Sequence, residues 1–226
     1  MRIRRKKNIN TRLAQCEDRL LIYNSEHLDF STIVDTSIIN YQQIFGNNNP
    51  VELEIGCGKG AFIVQKALQN PDINYIAVEK NENVLVQACE NAVKQGIKNV
   101  YFVLVSAEYL LRIIPTNSIS RIYLNFSCPF PKKKYACHRL THARFLEIYT
   151  DLLVYDGEVV QKTDNSGLFE FSIEQFSKCG YVLYDVTLDL HKINEKDEIQ
   201  TEYEKKFSAL GMPIFRLKAK SKRKSA

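Results

Sequence analysis

The chain has 226 residues and a mass of 26.1 kDa, and 45% of its residues are hydrophobic. That is enough for one α/β domain with a real core, and it excludes a chain disordered throughout. No apolar run reaches the roughly eighteen residues of a membrane helix. The formal charge of +5 comes from 31 basic and 26 acidic residues, and the basic surplus lies in clusters.

The first cluster is Arg2, Arg4, Arg5, Lys6 and Lys7, in a stretch to about residue 12 that predicts a mobile basic arm. It lacks the apolar segment of a signal peptide, so a cytoplasmic protein is expected. Residues 13–49 are mixed, with a helical stretch at 41–45 before the breaker Gly46-Asn47-Asn48-Asn49-Pro50. From there strands and helices alternate. A strand at 51–55 leads into a helix ending near 69, ahead of Pro71. A strand at 73–79 is followed by a helix at 84–94, where Val84, Ala88 and Ala92 recur at helical spacing and Gly96 ends the run. Strands follow at 99–105 and 119–125, then the irregular stretch from Phe126 to Pro131 and an amphipathic helix at 140–153. Asp156-Gly157 reads as a turn into a strand at 158–161, with a helix at 165–179 and a strand at 181–187 beyond it. A helix at 201–210, capped by Gly211, and a last strand at 213–217 complete the pattern. Alternation of this kind predicts an α/β fold with a mostly parallel, doubly wound sheet and helices on both faces. One domain is expected, flanked by the arm and by a basic tail from about 216 to 226 that holds Arg216, Lys218, Lys220, Lys222, Arg223 and Lys224.

The stretch from Val51 to Ile63 carries the chemistry. An apolar strand runs into Gly56-Cys57-Gly58-Lys59-Gly60, and a helix begins beyond it. Glycines let the backbone approach a ligand, and a helix start offers free N–H groups. Gly56, Gly58 and Ala61 satisfy a dinucleotide fingerprint, which alone is weak. Glu54, however, ends the strand with a carboxylate that repels a pyrophosphate and suits a cation. S-adenosylmethionine, with its ammonium and sulfonium, therefore fits better than NAD. Glu79, closing the second strand, can accept the ribose hydroxyl hydrogens of either.

On a doubly wound sheet ligands sit at the carboxyl ends of the strands. That end gathers Glu54 to Gly60, Glu79, Ser106 with Ala107, Asn125 to Lys132, and Lys162 to Asn165. Asp164 has a plainer alternative as a helix-start residue. The third basic cluster, Lys132-Lys133-Lys134, lies in this set, and three such clusters favour a nucleic-acid partner over charge kept for solubility. Six cysteines without a C-x-x-C pair form no disulfide framework. Cys128, Cys137, His138 and His142 lie close together, but their spacing matches no common zinc module, and no metal is expected.

Seven segments in order resemble the bacterial tRNA guanine-N7 methyltransferase family. They are Glu54-Ile-Gly-Cys-Gly-Lys-Gly60, Tyr123-Leu-Asn-Phe126, Pro129-Phe-Pro-Lys-Lys133, Arg139-Leu-Thr141, Lys162-Thr-Asp-Asn165, Asp189-Leu-His191 and Thr201-Glu-Tyr-Glu204. The resemblance implies a Rossmann-like enzyme that uses S-adenosylmethionine to methylate N7 of a guanine in the tRNA variable loop, acting as a monomer or homodimer. Cofactor-binding positions implied are Glu54, Gly56 and Glu79, and Gly58, Gly60, Ser106, Ala107 and Asn125, in the glycine turn and at the same strand ends, are expected to join them. Those implied for tRNA are Lys132, Asp164, Thr201, Glu202, Tyr203 and Glu204. The chain departs from the family's Asp-Pro-Trp-Pro-Lys loop, with Cys128 at the catalytic aspartate's position and Phe130 for the tryptophan. Ser106 stands where the family usually has an acid.

Guanine N7 carries an in-plane lone pair and no proton, so the reaction needs alignment and stabilisation of the product's positive ring rather than a strong base. A neutral thiol at position 128 helps little with that charge, so reduced activity is expected. Two rival readings stand beside the enzyme. A catalytically weakened RNA-binding paralogue would keep the fold, and a small-molecule methyltransferase would leave the basic ends and Thr201 to Glu204 unexplained.

Overall fold

In the computed structural model, which describes residues 8–22, 37–193, 199, 204 and 211–221, the chain divides into two units, Met1–Ile113 and Ile114–Ala226.

The first unit holds α1 (Ile9–Ala14), β1 (Leu20–Ile22), α2 (Tyr41–Phe45), β2 (Val51–Ile55), α3 (Ala61–Gln69), β3 (Asn74–Glu79), α4 (Glu82–Lys94) and β4 (Val100–Leu104). Its strands lie in the order β1-β4-β3-β2, and every pairing is parallel. Parallel strands are covered on both faces and so read as near-continuous apolar runs. All five residues of β2 are buried, and β3 is buried up to Glu79. The side-chain period of two divides β3. Tyr75 and Ala77 join Ile63, Val64, Ala67, Leu85, Ala88 and Ala92 of α3 and α4 in one core cluster, while Ile76 and Val78 are buried on the opposite face.

The same cluster takes in Ile9 and Leu13, so the expected arm does not reach residue 12. From Ile9 the chain is helical, because two apolar residues four apart share a helix face and dock on α4. Arg12 joins this contact through a two-pronged ion pair with Glu90. Residues 1–7 lie outside the described residues.

The second unit holds β5 (Ile119–Asn125), α5 (Ala143–Leu152), β6 (Leu153–Thr163), α6 (Ser166–Lys178), β7 (Val182–Thr187) and β8 (Phe215–Lys220). Here the order is β5-β6-β8-β7. The β5–β6 pairing is parallel, and β8 runs antiparallel to both β6 and β7. The mostly parallel α/β architecture expected from the pattern is therefore what the strands form.

Two boundaries are corrected. The strand expected at 158–161 extends over Leu153–Thr163, with Asp156 at φ 61° in an irregularity that shifts the register against β5. The basic tail expected from 216 begins instead as β8. Arg216, Lys218 and Lys220 face one side and Leu217 and Ala219 the other, and Arg216 is only 2% exposed. Its guanidinium binds both oxygens of Asp185, which Lys218 also contacts at 2.7 Å. Of the helix expected at 201–210, only Glu204 is among the described residues, and it is helical.

Candidate functional site

In the first unit the site is built around the turn between β2 and α3. The amides of Gly56 and Cys57 both donate to the carbonyl of Val78, at 2.8 and 3.0 Å, which ties the turn to the end of β3. Gly56, Gly58 and Gly60 all have positive φ, at 81°, 57° and 78°. The three glycines nevertheless serve different ends. A Cβ on Gly60 would stand 2.7 Å from the Cβ of Ala88, so that glycine lets α4 pack against the turn. Around Gly56 and Gly58 a Cβ would meet nothing within 4 Å, so their bare backbone faces open space. The α3 helix has no side-chain cap, which leaves its first amides to a ligand or to water.

Two carboxylates frame this turn. Glu54 is 2% exposed at the end of β2. Glu79 is held from two sides, its Oε2 accepting from the Gly58 amide at 3.4 Å and its Oε1 from the Asn81 amide at 3.0 Å. Between them, burial pushes the Cys57 thiol well above its usual range, and the charges of Glu54 and Glu79 push the same way. The local field thus disfavours a further negative group.

Ser106 follows β4 and reaches Glu79's neighbourhood because Val105 donates its amide to the Glu79 carbonyl at 3.2 Å. Its hydroxyl contacts the Glu108 carboxylate, a partner the sequence pattern did not single out. Ala107 is buried at the start of a 3-10 turn, Ala107–Arg112.

These features fit S-adenosylmethionine. The glycine backbone offers a cradle that any Cβ would fill. Each Glu79 oxygen keeps a lone pair for a ribose hydroxyl after accepting one amide. Two acids favour a ligand bearing positive charge over a pyrophosphate.

The second unit presents another set of loops at the ends of β5 and β6. The two are joined there by the Phe126 amide, which donates to the Lys162 carbonyl at 2.9 Å. Asn125 ends β5. Phe126 and Phe130 take positive φ, at 49° and 40°, so the loop is tightly bent on either side of the exposed Cys128. Arg139 fixes the bend. Its guanidinium donates to the Phe130 carbonyl at 3.1 Å and lies 4.4 Å over the Phe171 ring of α6. Lys132, exposed, caps a 3-10 turn, Lys133–His138. His142, near the cysteines, caps α5 through its ring nitrogen, which accepts from the Arg144 amide.

At the end of β6, the cap of α6 is Asn165, whose side chain accepts from Leu168 at 2.8 Å. Asp164, half-buried, is therefore not that helix's cap, which was its plainer reading. Lys162 and Glu204 form an ion pair at 3.4 Å with side chains 4% and 2% exposed, and Lys162 also donates to the Ile199 carbonyl at 3.3 Å. Glu204, expected on the tRNA side, thus has its carboxylate directed into the protein. Its companions Thr201, Glu202 and Tyr203 lie outside the described residues.

Comparison with known proteins places these features in context. A family model described as "Putative methyltransferase" matches residues 48–217. The tRNA (guanine-N(7)-)-methyltransferase of Lysinibacillus sphaericus is 48% identical over 181 residues, covering 80% of this chain and 84% of that one. The enzyme of the same name from Streptococcus agalactiae is 47% identical over 180 residues, covering 80% and 85%. Among solved structures, an antibiotic-related methyltransferase superposes with a TM-score of 0.59 over 84% of this chain and 96% of that one. At 20% identity that likeness concerns the fold alone.

Proposed function

Because the chain belongs to the tRNA (guanine-N(7)-)-methyltransferase family, we propose that it transfers the methyl group of S-adenosylmethionine to N7 of a guanine in tRNA. The observation that carries the substrate is the 48% identity extending over 84% of a relative so named. S-adenosylmethionine supplies an electrophilic methyl group on a positively charged sulfur.

The chain's own residues divide the remaining work. Gly56 and Gly58 give the cofactor backbone contact, and Glu79, held by the Gly58 and Asn81 amides, takes the ribose hydroxyls. Glu54 lends negative potential to the same sheet end. Asn125 serves the cofactor, the loop through Cys128 and Asp164 serve the guanine, and Lys132 meets tRNA phosphate. Because N7 needs no deprotonation, holding its lone pair in line with the methyl group is the main catalytic demand. Glu204, paired with Lys162 inside the protein, acts from there rather than by direct contact with the base.

The experiment is transfer of radiolabelled methyl from S-adenosylmethionine to unmodified tRNA, followed by nuclease digestion of the product. N7-methylguanosine is the expected nucleoside. Label on another base, or no transfer by folded protein that binds tRNA, rejects the proposal. A Cys128→Asp variant in the same assay should turn over about tenfold faster, since a carboxylate there offsets the product's ring charge. An unaltered rate removes position 128 from the electrostatics of the reaction.

A further inference from the structure

The 3-10 turn Lys133–His138 has a property that its role as a basic cluster does not require. A 3-10 helix has three residues per turn, so side chains three apart eclipse one another. That rule aligns Lys132, Tyr135 and His138 in one row, beginning at the turn's cap. The rings of Tyr135 and His138 lie 6.2 Å apart between centroids, tilted by 41°, and Phe130 lies 5.7 Å from His138, tilted by 44°. This is an aromatic ladder of three rungs. It is not a core, since Tyr135 is 42% exposed and His138 is exposed as well.

Its surroundings give it a partner. Lys134 holds its ammonium 5.0 Å over the Tyr135 ring, and Lys132 and Lys133 are exposed beside it. An aromatic face set among free cations is the chemistry that takes a nucleotide whose base is unpaired: ring on ring, phosphate on ammonium. A double-helical segment offers phosphates but no open base face. The ladder is also preorganised, because Arg139, next to His138, is clamped between the Phe130 carbonyl and the Phe171 ring. Ordering it on binding therefore costs little.

We propose that Tyr135, backed by His138 and Phe130, is a stacking shelf for one unpaired nucleotide of the tRNA substrate, with Lys134 meeting that nucleotide's phosphate. The proposal rests on the tRNA reading and assigns Tyr135 to substrate positioning rather than to methyl transfer itself.

Stacking and charge are separable by salt. The test is filter binding of unmodified tRNA over a range of ionic strength for the wild type, Tyr135→Ala, Tyr135→Phe and Lys133→Ala, with cofactor affinity measured alongside. Loss of a stacked base should raise the tRNA Kd of Tyr135→Ala by between about five- and a hundredfold. The slope of log affinity against log salt should stay at the wild-type value, and Tyr135→Phe should bind as the wild type does. Lys133→Ala should instead reduce that slope by about one. Wild-type affinity in Tyr135→Ala, equal losses in the Ala and Phe variants, or a changed cofactor affinity would overturn the shelf. Failure of the tRNA reading shows separately, as absence of methyl transfer by the wild type.

Discussion

At the scale of single residues, three glycines of similar sequence context prove to answer different constraints. All have positive φ, where an L side chain is strained by about 1–2 kcal/mol. Only Gly60 also has a neighbour in the way. Gly60→Ala should therefore lower stability by about 2–4 kcal/mol, strain and overpacking together, in urea unfolding. Gly58→Ala should cost only the strain, but its methyl group enters the ligand cradle and should weaken S-adenosylmethionine binding roughly tenfold or more in calorimetry. If the two variants lose cofactor affinity equally, the division of labour is wrong. The glycine pattern was legible in the sequence. Which glycine serves packing was not, because the clash comes from Ala88, twenty-eight residues away in sequence (88 − 60).

At the scale of elements, β8 and β7 show how a charged segment becomes structural. The alternation Arg216-Leu217-Lys218-Ala219-Lys220 is a strand pattern, and its apolar side is buried. Its charged side is met by Asp185, which sits at φ 51° where the β7–β8 register shifts. That irregularity also breaks the regular edge that β7 presents as the last strand of its unit. Burial by itself would raise the Asp185 carboxyl above 3.8, but hydrogen bonds from Lys218 and Arg216 outweigh it and hold the group below. A carboxyl lowered in the folded state stabilises fully above its unfolded value and loses that contribution as pH falls through the folded one. Asp185→Asn should thus lower the Tm at neutral pH, by about 2–4 °C per kcal/mol lost. The difference from wild type should shrink below pH 3.8. A difference independent of pH would reject this account. Sequence reading placed a strand at 213–217 and still assigned Arg216 to a tail, because a run of basic residues reads as solvated until an acid is found opposite it on another strand.

For the whole molecule, the question is which of the basic residues reach tRNA. The formal charge counts Arg12, Lys162, Arg216 and Lys132 alike. Ion pairs hold the first three to Glu90, Glu204 and Asp185, whereas Lys132, Lys133 and Lys134 are exposed. Replacing all three lysines with alanine should therefore reduce the salt slope of tRNA binding by about two to three. Arg216→Ala should leave the slope unchanged while lowering stability, because it removes a buried side chain together with its two hydrogen bonds to Asp185. A slope that falls equally in both variants would mean that net charge, not placement, governs binding.

Local pattern determined much of this protein. Apolar runs and breakers located β2 through β5, α3 through α6 and the glycine turn, since periodicity and turn chemistry are properties of neighbouring residues. Ordered motifs pointed to the family and to S-adenosylmethionine. The short strand β1 and the helix α1 escaped, having too few residues to show a period and depending on docking for their stability. Partners far apart in sequence were decided only by the tertiary structure: Glu204 turned inward to Lys162, Arg216 drawn to Asp185, and Arg12 to Glu90. Each pairing depends on where the chain returns in space. A charged or aromatic side chain carries no local sign of whether it will meet solvent, substrate or another part of the protein.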